Sequence, residues 1–144
     1  MTGAAVVAHN LVMSEVDEFL RAVLPRLQAA ELALHEGDAN PRKAVWSFNE
    51  PVTLFGAEVE RTGRPDLEST FEWIASRFEG CRSFEYEVVA AGGSGNFGYL
   101  VAYEHVTATV GGEEVSYVLR ATTVFRKESG EWRVVHRHGD PARR

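Results

Sequence analysis

The sequence predicts an α+β domain in which three N-terminal helices pack against a mostly antiparallel sheet. Three observations carry that expectation. Amphipathic helical periods dominate the first half of the chain, and strand signal fills the second half. The strands of that second half are separated only by GGSG, GG and ESG. Short connections force neighbouring strands to run antiparallel, and helices followed by a meander give segregated α+β layers rather than alternating βαβ units.

The first helix is expected over residues 14–36. Val16, Phe19, Leu20, Val23, Leu27, Ala30 and Leu34 recur at steps of three and four and build one apolar stripe. Ser14 with Asp17 forms a start box, and Gly37 ends the helix. Pro25 lies inside the pattern; it removes a backbone donor and predicts a kink or two helical pieces. A short second helix is expected over 38–47, with Asn40 as its cap, Pro41 in its first turn, and Val45, Trp46 and Phe48 as anchors. The β-branched and aromatic run PVTLFG predicts a short strand, and residues 58–62 a second one paired with it. Gly63, Arg64 and Pro65 open a third helix whose stripe is Leu67, Phe71, Ile74, Ala75 and Phe78, and Gly80 stops it. Four strands rich in Val, Tyr, Phe and Thr follow at 82–91, 96–110, 114–127 and 131–138.

With 144 residues, 44% hydrophobic and 25% charged, the chain suits one globular domain over 1–144, with 1–13 as a loose N-terminal arm. The net charge of -6 argues against non-specific nucleic-acid binding and against attraction to an anionic membrane. Cys81, the one cysteine, cannot form an internal disulfide, so a reducing compartment is expected. The start MTGAAVVAHNLVM lacks a basic segment and does not read as a signal peptide. No stretch reads as long enough to span a membrane, and a cytoplasmic protein is the simplest expectation.

Local text sharpens the fold. GD follows the first helix, EPVTLFG and a glycine precede the third, and LRATTVFRKESGEWRVVHRHGDP closes the chain. This order and text resemble the SnoaL-like branch of the nuclear-transport-factor-2-like superfamily over nearly the whole chain. The turn followed by W-x-x-V-H-x-H is the most specific part. The resemblance implies a cone-shaped fold, with helices covering a strongly curved sheet around a pocket. It leaves function open, because the superfamily holds ketosteroid isomerase, polyketide cyclases, scytalone dehydratase, epoxide hydrolases and a kinase association domain.

Ketosteroid isomerase needs a carboxylate base and two donors for an enolate oxygen. The resemblance aligns its base with Glu50, in Glu50-Pro51-Val52, and its donors with Ala30 and Thr123. A methyl group donates nothing, and losing one oxyanion donor reduces rate by about a hundred- to a thousandfold. A true ketosteroid isomerase is therefore not expected. The implied activity is a cofactor-independent isomerase, cyclase or dehydratase acting by acid-base chemistry on a small apolar substrate. Its candidate catalytic residues are Glu50, Thr123, His136 and His138. Glu50 would act as base if desolvation raises its pKa. His136 and His138 alternate in one strand, so both point to one face, roughly 7 Å apart. With His105 they could bind a metal, yet no cysteine or acid recurs beside them at ligand spacing, so neither metal nor cofactor is expected. A general-base histidine suits them better.

The candidate pocket lining is Trp46, Phe55, Tyr103, Tyr117, Arg120 and Arg137. Tyrosine hydroxyls supply donors, and Arg120 offers a fork for an acidic group. The facing of the last strand stays open. Trp132, Val134, His136 and His138 share one face, and amphipathicity buries it; the resemblance instead turns Val135 and Arg137 to the pocket; a bulge would flip the assignment. On the preceding strand Tyr117, Leu119, Ala121, Thr123 and Phe125 are expected inward. Aromatics on both sheet faces predict a homodimer formed through the sheet. A non-enzymatic ligand-binding or dimerisation module remains the alternative reading.

Overall fold

The computed structural model describes residues 14–56 and 58–143, so the arm expected at 1–13 lies outside the described residues. The chain folds as α1 (Glu15–Leu34), α2 (Asn40–Val45), β1 (Thr53–Gly56), β2 (Glu60–Thr62), α3 (Arg64–Ser76), β3 (Cys81–Ser94), β4 (Phe97–Val110), β5 (Glu113–Glu128) and β6 (Glu131–Pro141). The six strands form one curved sheet in the order β2-β1-β6-β5-β4-β3. Every neighbouring pair is antiparallel except β1 and β6, which run parallel. The helices cover one face of it, as the α+β expectation requires.

Ser14 caps α1, its Oγ accepting from Asp17 N at 3.1 Å. α1 is one helix through Pro25 rather than two pieces. Pro25 and Arg21 both lie on the exposed side of the helix. There the Arg21 carbonyl that loses its partner can turn to water. Asn40 is not the cap of α2 either. It is the first helical residue, and its N–H donates to Asp38 Oδ1 at 3.0 Å.

Two hairpins turn on residues that tolerate positive φ. Gly111 and Gly112 (φ 59 and 80) join β4 to β5, and Ser129 and Gly130 (φ 51 and 82) join β5 to β6. Positive φ at both central residues matches the right-handed twist of the flanking strands. The expected GGSG turn is displaced. Gly92 and Gly93 extend β3, and the chain reverses beyond Ser94. Packing explains this: a Cβ at Gly93 would sit 3.1 Å from the Phe19 ring, and one at Gly98 2.6 Å from it. Glycine here lets α1 press directly onto the sheet.

The core lies between that sheet face and the helices. Phe19, Val23 and Leu34 of α1 meet Leu67 and Phe71 of α3 and Leu100, Phe125 and Val134 of the sheet, all nearly inaccessible to solvent. Phe19 stacks edge-on against Phe125 and Trp132, with centroids 5.2 and 5.0 Å away.

The facing of β6 resolves through a bulge. Val124 pairs with His136 and Phe125 with Val134, leaving Val135 unpaired. Before the bulge Trp132 and Val134 face the helices, as amphipathicity predicts. After it the alternation inverts, and Arg137 pairs with buried Thr123 and Leu54 on the helix side. His136 and His138 thereby turn to the opposite face.

Candidate functional site

Along β4, Gly98, Leu100, Ala102, Glu104, Val106 and Ala108 face inward in strict alternation. One of these is a carboxylate, and Glu104 is only 1% exposed. A buried charge needs a partner. Arg137, two strands away on β6, supplies it: Nη1 and Nη2 donate to the two Glu104 oxygens at 2.6 and 2.7 Å. A second buried pair lies beside it. Glu31, on the inner face of α1, accepts from Arg42 of α2 at both oxygens, Nε to Oε2 at 2.8 Å and Nη2 to Oε1. The Arg42 guanidinium also lies over the Phe71 ring, 5.1 Å from its centroid.

These pairs adjoin a cavity of about 240 Å³ that opens to solvent on one side and is bordered by the end of α1, α2, the end of α3, β1, β3, β5 and β6. Its wall is largely apolar: Leu34, Leu54, Val59, Ile74, Phe84 and Leu119. Its polar lining includes Glu31, His35, Arg42, Tyr117 and Arg137. At its rim Arg77 pairs with Glu58 at 3.5 Å and lies over the Trp73 ring.

His35 is the C-cap of α1 and packs between Phe78 and Phe84, with centroids 4.3 and 5.5 Å away. Its Nδ1 lies 2.6 Å from the Glu31 carbonyl and its Nε2 3.2 Å from the Tyr117 hydroxyl. A carbonyl can only accept, so Nδ1 carries the proton. In the neutral ring Nε2 is then a lone-pair acceptor for the Tyr117 O–H.

Burial lowers the His35 pKa, and the neighbouring Glu31 only partly offsets it, which keeps the ring neutral at pH 7. Burial pushes the Tyr117 phenol up to about 12, with Glu31 adding to the rise. Burial also pushes the Glu31 carboxyl upward, but the charge and hydrogen bonds of Arg42, supported by Arg137, outweigh it and hold Glu31 below its ordinary value. Arg137 is likewise opposed by burial and held charged by Glu104.

A pH dependence follows. His35 is lowered from 6.5, so the unfolded chain takes up that proton first as pH falls. Its contribution to stability is fully present above 6.5 and is lost progressively below. Glu31 is lowered from 4.5, so its contribution is complete above 4.5 and is lost at more acid pH. Urea midpoints should therefore fall in two stages on acidification. His35→Gln should reduce the upper stage, leaving the share of His136, which burial and then His138 lower too. An upper stage unchanged by His35→Gln would contradict a buried neutral His35.

Of the residues singled out in the sequence, Phe55, Tyr117 and Arg137 border this cavity. Trp46 is core, packed on Phe71 at 5.3 Å. Thr123 is buried on the inner face but does not border the cavity. Tyr103, Arg120 and His138 line a depression on the opposite sheet face, where Arg120 Nε donates to Asp140 at 2.6 Å. His136 shares that side and meets Thr53 Oγ1 at 2.7 Å. Glu50 is exposed, and its carboxylate accepts from Arg64 N at 2.7 Å, at the start of α3. That is a helix-capping position, away from the cavity. Lys43, which could have neutralised Glu50, pairs instead with Glu72 at 2.9 Å. Glu50→Ala should lower stability by about 0.5–2 kcal/mol through the lost cap, read from urea denaturation, and leave occupancy of the cavity unchanged.

Sequence reasoning missed Glu31, His35, Arg42 and Glu104. Two signals pointed to three of them, Glu31, His35 and Glu104. Leu27, Glu31 and His35 are spaced i, i+4, i+8, so both polar residues continue the buried stripe. Glu104 interrupts an otherwise small and apolar inward alternation on β4. Among the described residues no three or more His, Cys, Asp or Glu side chains group as metal ligands, and no helix is long and apolar enough to cross a membrane.

Helices packed against a curved, mostly antiparallel six-stranded sheet define the nuclear-transport-factor-2-like class. The sequence profile of the SnoaL-like domain matches residues 23–142, and the chain belongs to that family. No curated protein matches it. Among solved structures it is similar to a protein from Streptomyces avermitilis named as a dehydratase of that class, with TM-score 0.74 and 18% identity over 89% of this chain and 99% of the other. A ketosteroid isomerase-like protein from Erwinia carotovora atroseptica aligns with TM-score 0.67 and 18% identity, again over 89% and 99%. A protein from Thiobacillus denitrificans named as a calcium/calmodulin-dependent protein kinase type II association domain aligns with TM-score 0.66 and 19% identity over 82% and 93%. At such identities the likeness establishes the fold alone.

Proposed function

We propose that this protein binds a small, largely apolar molecule in the interior cavity and acts on it by cofactor-independent acid-base chemistry, as an isomerase, cyclase or dehydratase. The observation that carries this reading is the His35–Tyr117 couple in the wall of an apolar chamber. A neutral imidazole whose lone pair meets a phenol can move a proton. A guest O–H or enolisable C–H gives its proton to the Tyr117 oxygen as Tyr117 passes its own to His35 Nε2. The products are the guest anion, an intact phenol and imidazolium. The imidazolium formed at His35, one hydrogen bond beyond Tyr117, stays close to the guest anion and offsets its charge. The names of two fold neighbours, a dehydratase and a ketosteroid isomerase-like protein, agree with this class of chemistry.

The test needs no natural substrate. Cyclohexanone in D₂O exchanges its α-protons when a base abstracts them, and NMR follows the loss. The protein should accelerate exchange, and His35→Gln should reduce the acceleration about a hundredfold or more. Acceleration that survives both His35→Gln and Tyr117→Phe would defeat the proposal.

The opposite sheet face supports a homodimer, the partner also expected from the sequence. Val89, Phe97 and Tyr99 leave 45 to 60% of their surfaces exposed at one end of the β3–β4 hairpin. Apolar area of that kind is ordinarily covered, and a second copy offers a matching face through twofold symmetry. Light scattering at micromolar concentration should give twice the 16.0 kDa chain mass. Val89→Glu with Tyr99→Glu should return the protein to that single mass.

A further inference from the structure

The charge of the cavity's polar end is set by four side chains. Arg42 is held at two nitrogens by Glu31, and Arg137 at two nitrogens by Glu104. Two guanidiniums and two carboxylates sum to zero. An entering carboxylate would face two resident carboxylates already seated on both arginines. It would bring an uncompensated negative charge into a buried site, which is costly. An alcohol or amide brings no net charge and can donate its O–H or N–H to the Tyr117 oxygen, whose own proton is directed at His35 Nε2.

We propose that the cavity selects an uncharged guest carrying a hydroxyl or an amide N–H, and that Glu104 sets this selectivity by neutralising Arg137. Glu104 does not border the cavity; it lies behind Arg137, which does. Its charge is therefore felt by a guest that it never touches, and it is a positioning and charge-setting residue rather than a catalytic one. Substituting it alters the charge of the chamber while leaving the lining side chains in place. Glu31 offers no such separation, because it borders the cavity itself. This inference rests on the interior cavity being the binding site.

The probes are cyclohexanecarboxamide and cyclohexanecarboxylate, nearly identical in shape and different in charge at pH 7.5. Titration calorimetry on the full chain should show the carboxamide bound at least about tenfold more tightly than the carboxylate. Glu104→Gln keeps the side-chain shape and leaves Arg137 without its counter-charge. In that variant the preference should reverse, and the carboxylate should raise the melting temperature more than the carboxamide does. If Glu104→Gln does not fold, the double substitution Glu104→Leu with Arg137→Met removes both charges, and it should retain the carboxamide preference. Wild-type protein that binds the carboxylate as well as the carboxamide overturns the charge selection and leaves the cavity as the binding site. A ratio unchanged in folded Glu104→Gln overturns the role of Glu104. No binding of either probe overturns this inference together with the cavity reading beneath it.

Discussion

Arg137→Met should destabilise the protein by about 3–5 kcal/mol, among the largest effects expected of any single substitution here. The reason is what it leaves behind. Glu104 is 1% exposed, and both of its oxygens accept from Arg137. Without the guanidinium it must remain charged and unpaired in the interior or take up a proton. Adding Glu104→Leu to Arg137→Met removes the stranded carboxylate and should recover most of the loss, since hydrophobic replacement of a whole buried pair is often neutral or stabilising. Urea denaturation of the single and double variants measures this coupling directly. A single-variant loss below about 1 kcal/mol would place the pair in contact with water, where ion pairs contribute little.

Phe71→Ala should also lower stability by about 3–5 kcal/mol. Phe71 is fully buried and lies between the Trp46 ring and the Arg42 guanidinium. Its removal opens a void in the core and also takes away the surface on which Arg42 rests. Binding of a neutral probe should weaken with it, because Arg42 then holds Glu31 less firmly. The sequence suggests an equal loss for Trp132→Ala, but Trp132 is only half-buried, and its expected loss is correspondingly smaller. A melting temperature unmoved by Phe71→Ala would contradict the packing described for α3.

The fold was legible because it rests on periodicity. The stripe from Phe19 to Leu34, the stripe from Leu67 to Phe71 and the long alternating strands each need only the spacing of apolar residues to be read. The departures have local causes. Pro25 leaves α1 whole because it sits on the solvent side. Gly92 and Gly93 belong to β3 because Phe19 presses on that strand from another element. Sequence spacing cannot report that approach.

The site was less legible, for two physical reasons. The unpaired Val135 inverts the last strand halfway, so no single alternation could place both Trp132 and Arg137 correctly. That inversion sent Arg137 into the cavity and His136 and His138 to the other face. Glu50 stood out by its text, yet its environment is an exposed helix start. Glu31, His35 and Glu104 stood out less, because a polar residue inside an apolar pattern is easily taken for a break in it. A charge that keeps the phase of a buried stripe has a partner across the core, and that partner lies far away in sequence.

The guest is expected to meet His35 and Tyr117, and long-range proton–nitrogen NMR of the imidazole rings tests this most directly. At pH 7.5 His35 should be neutral with its proton on Nδ1. Adding cyclohexanecarboxamide should shift His35 Nε2 while the rings of His136 and His138 stay unmoved. Shifts at His136 and His138 with a silent His35 would contradict binding at His35 and Tyr117 and move the site to the opposite face of the sheet.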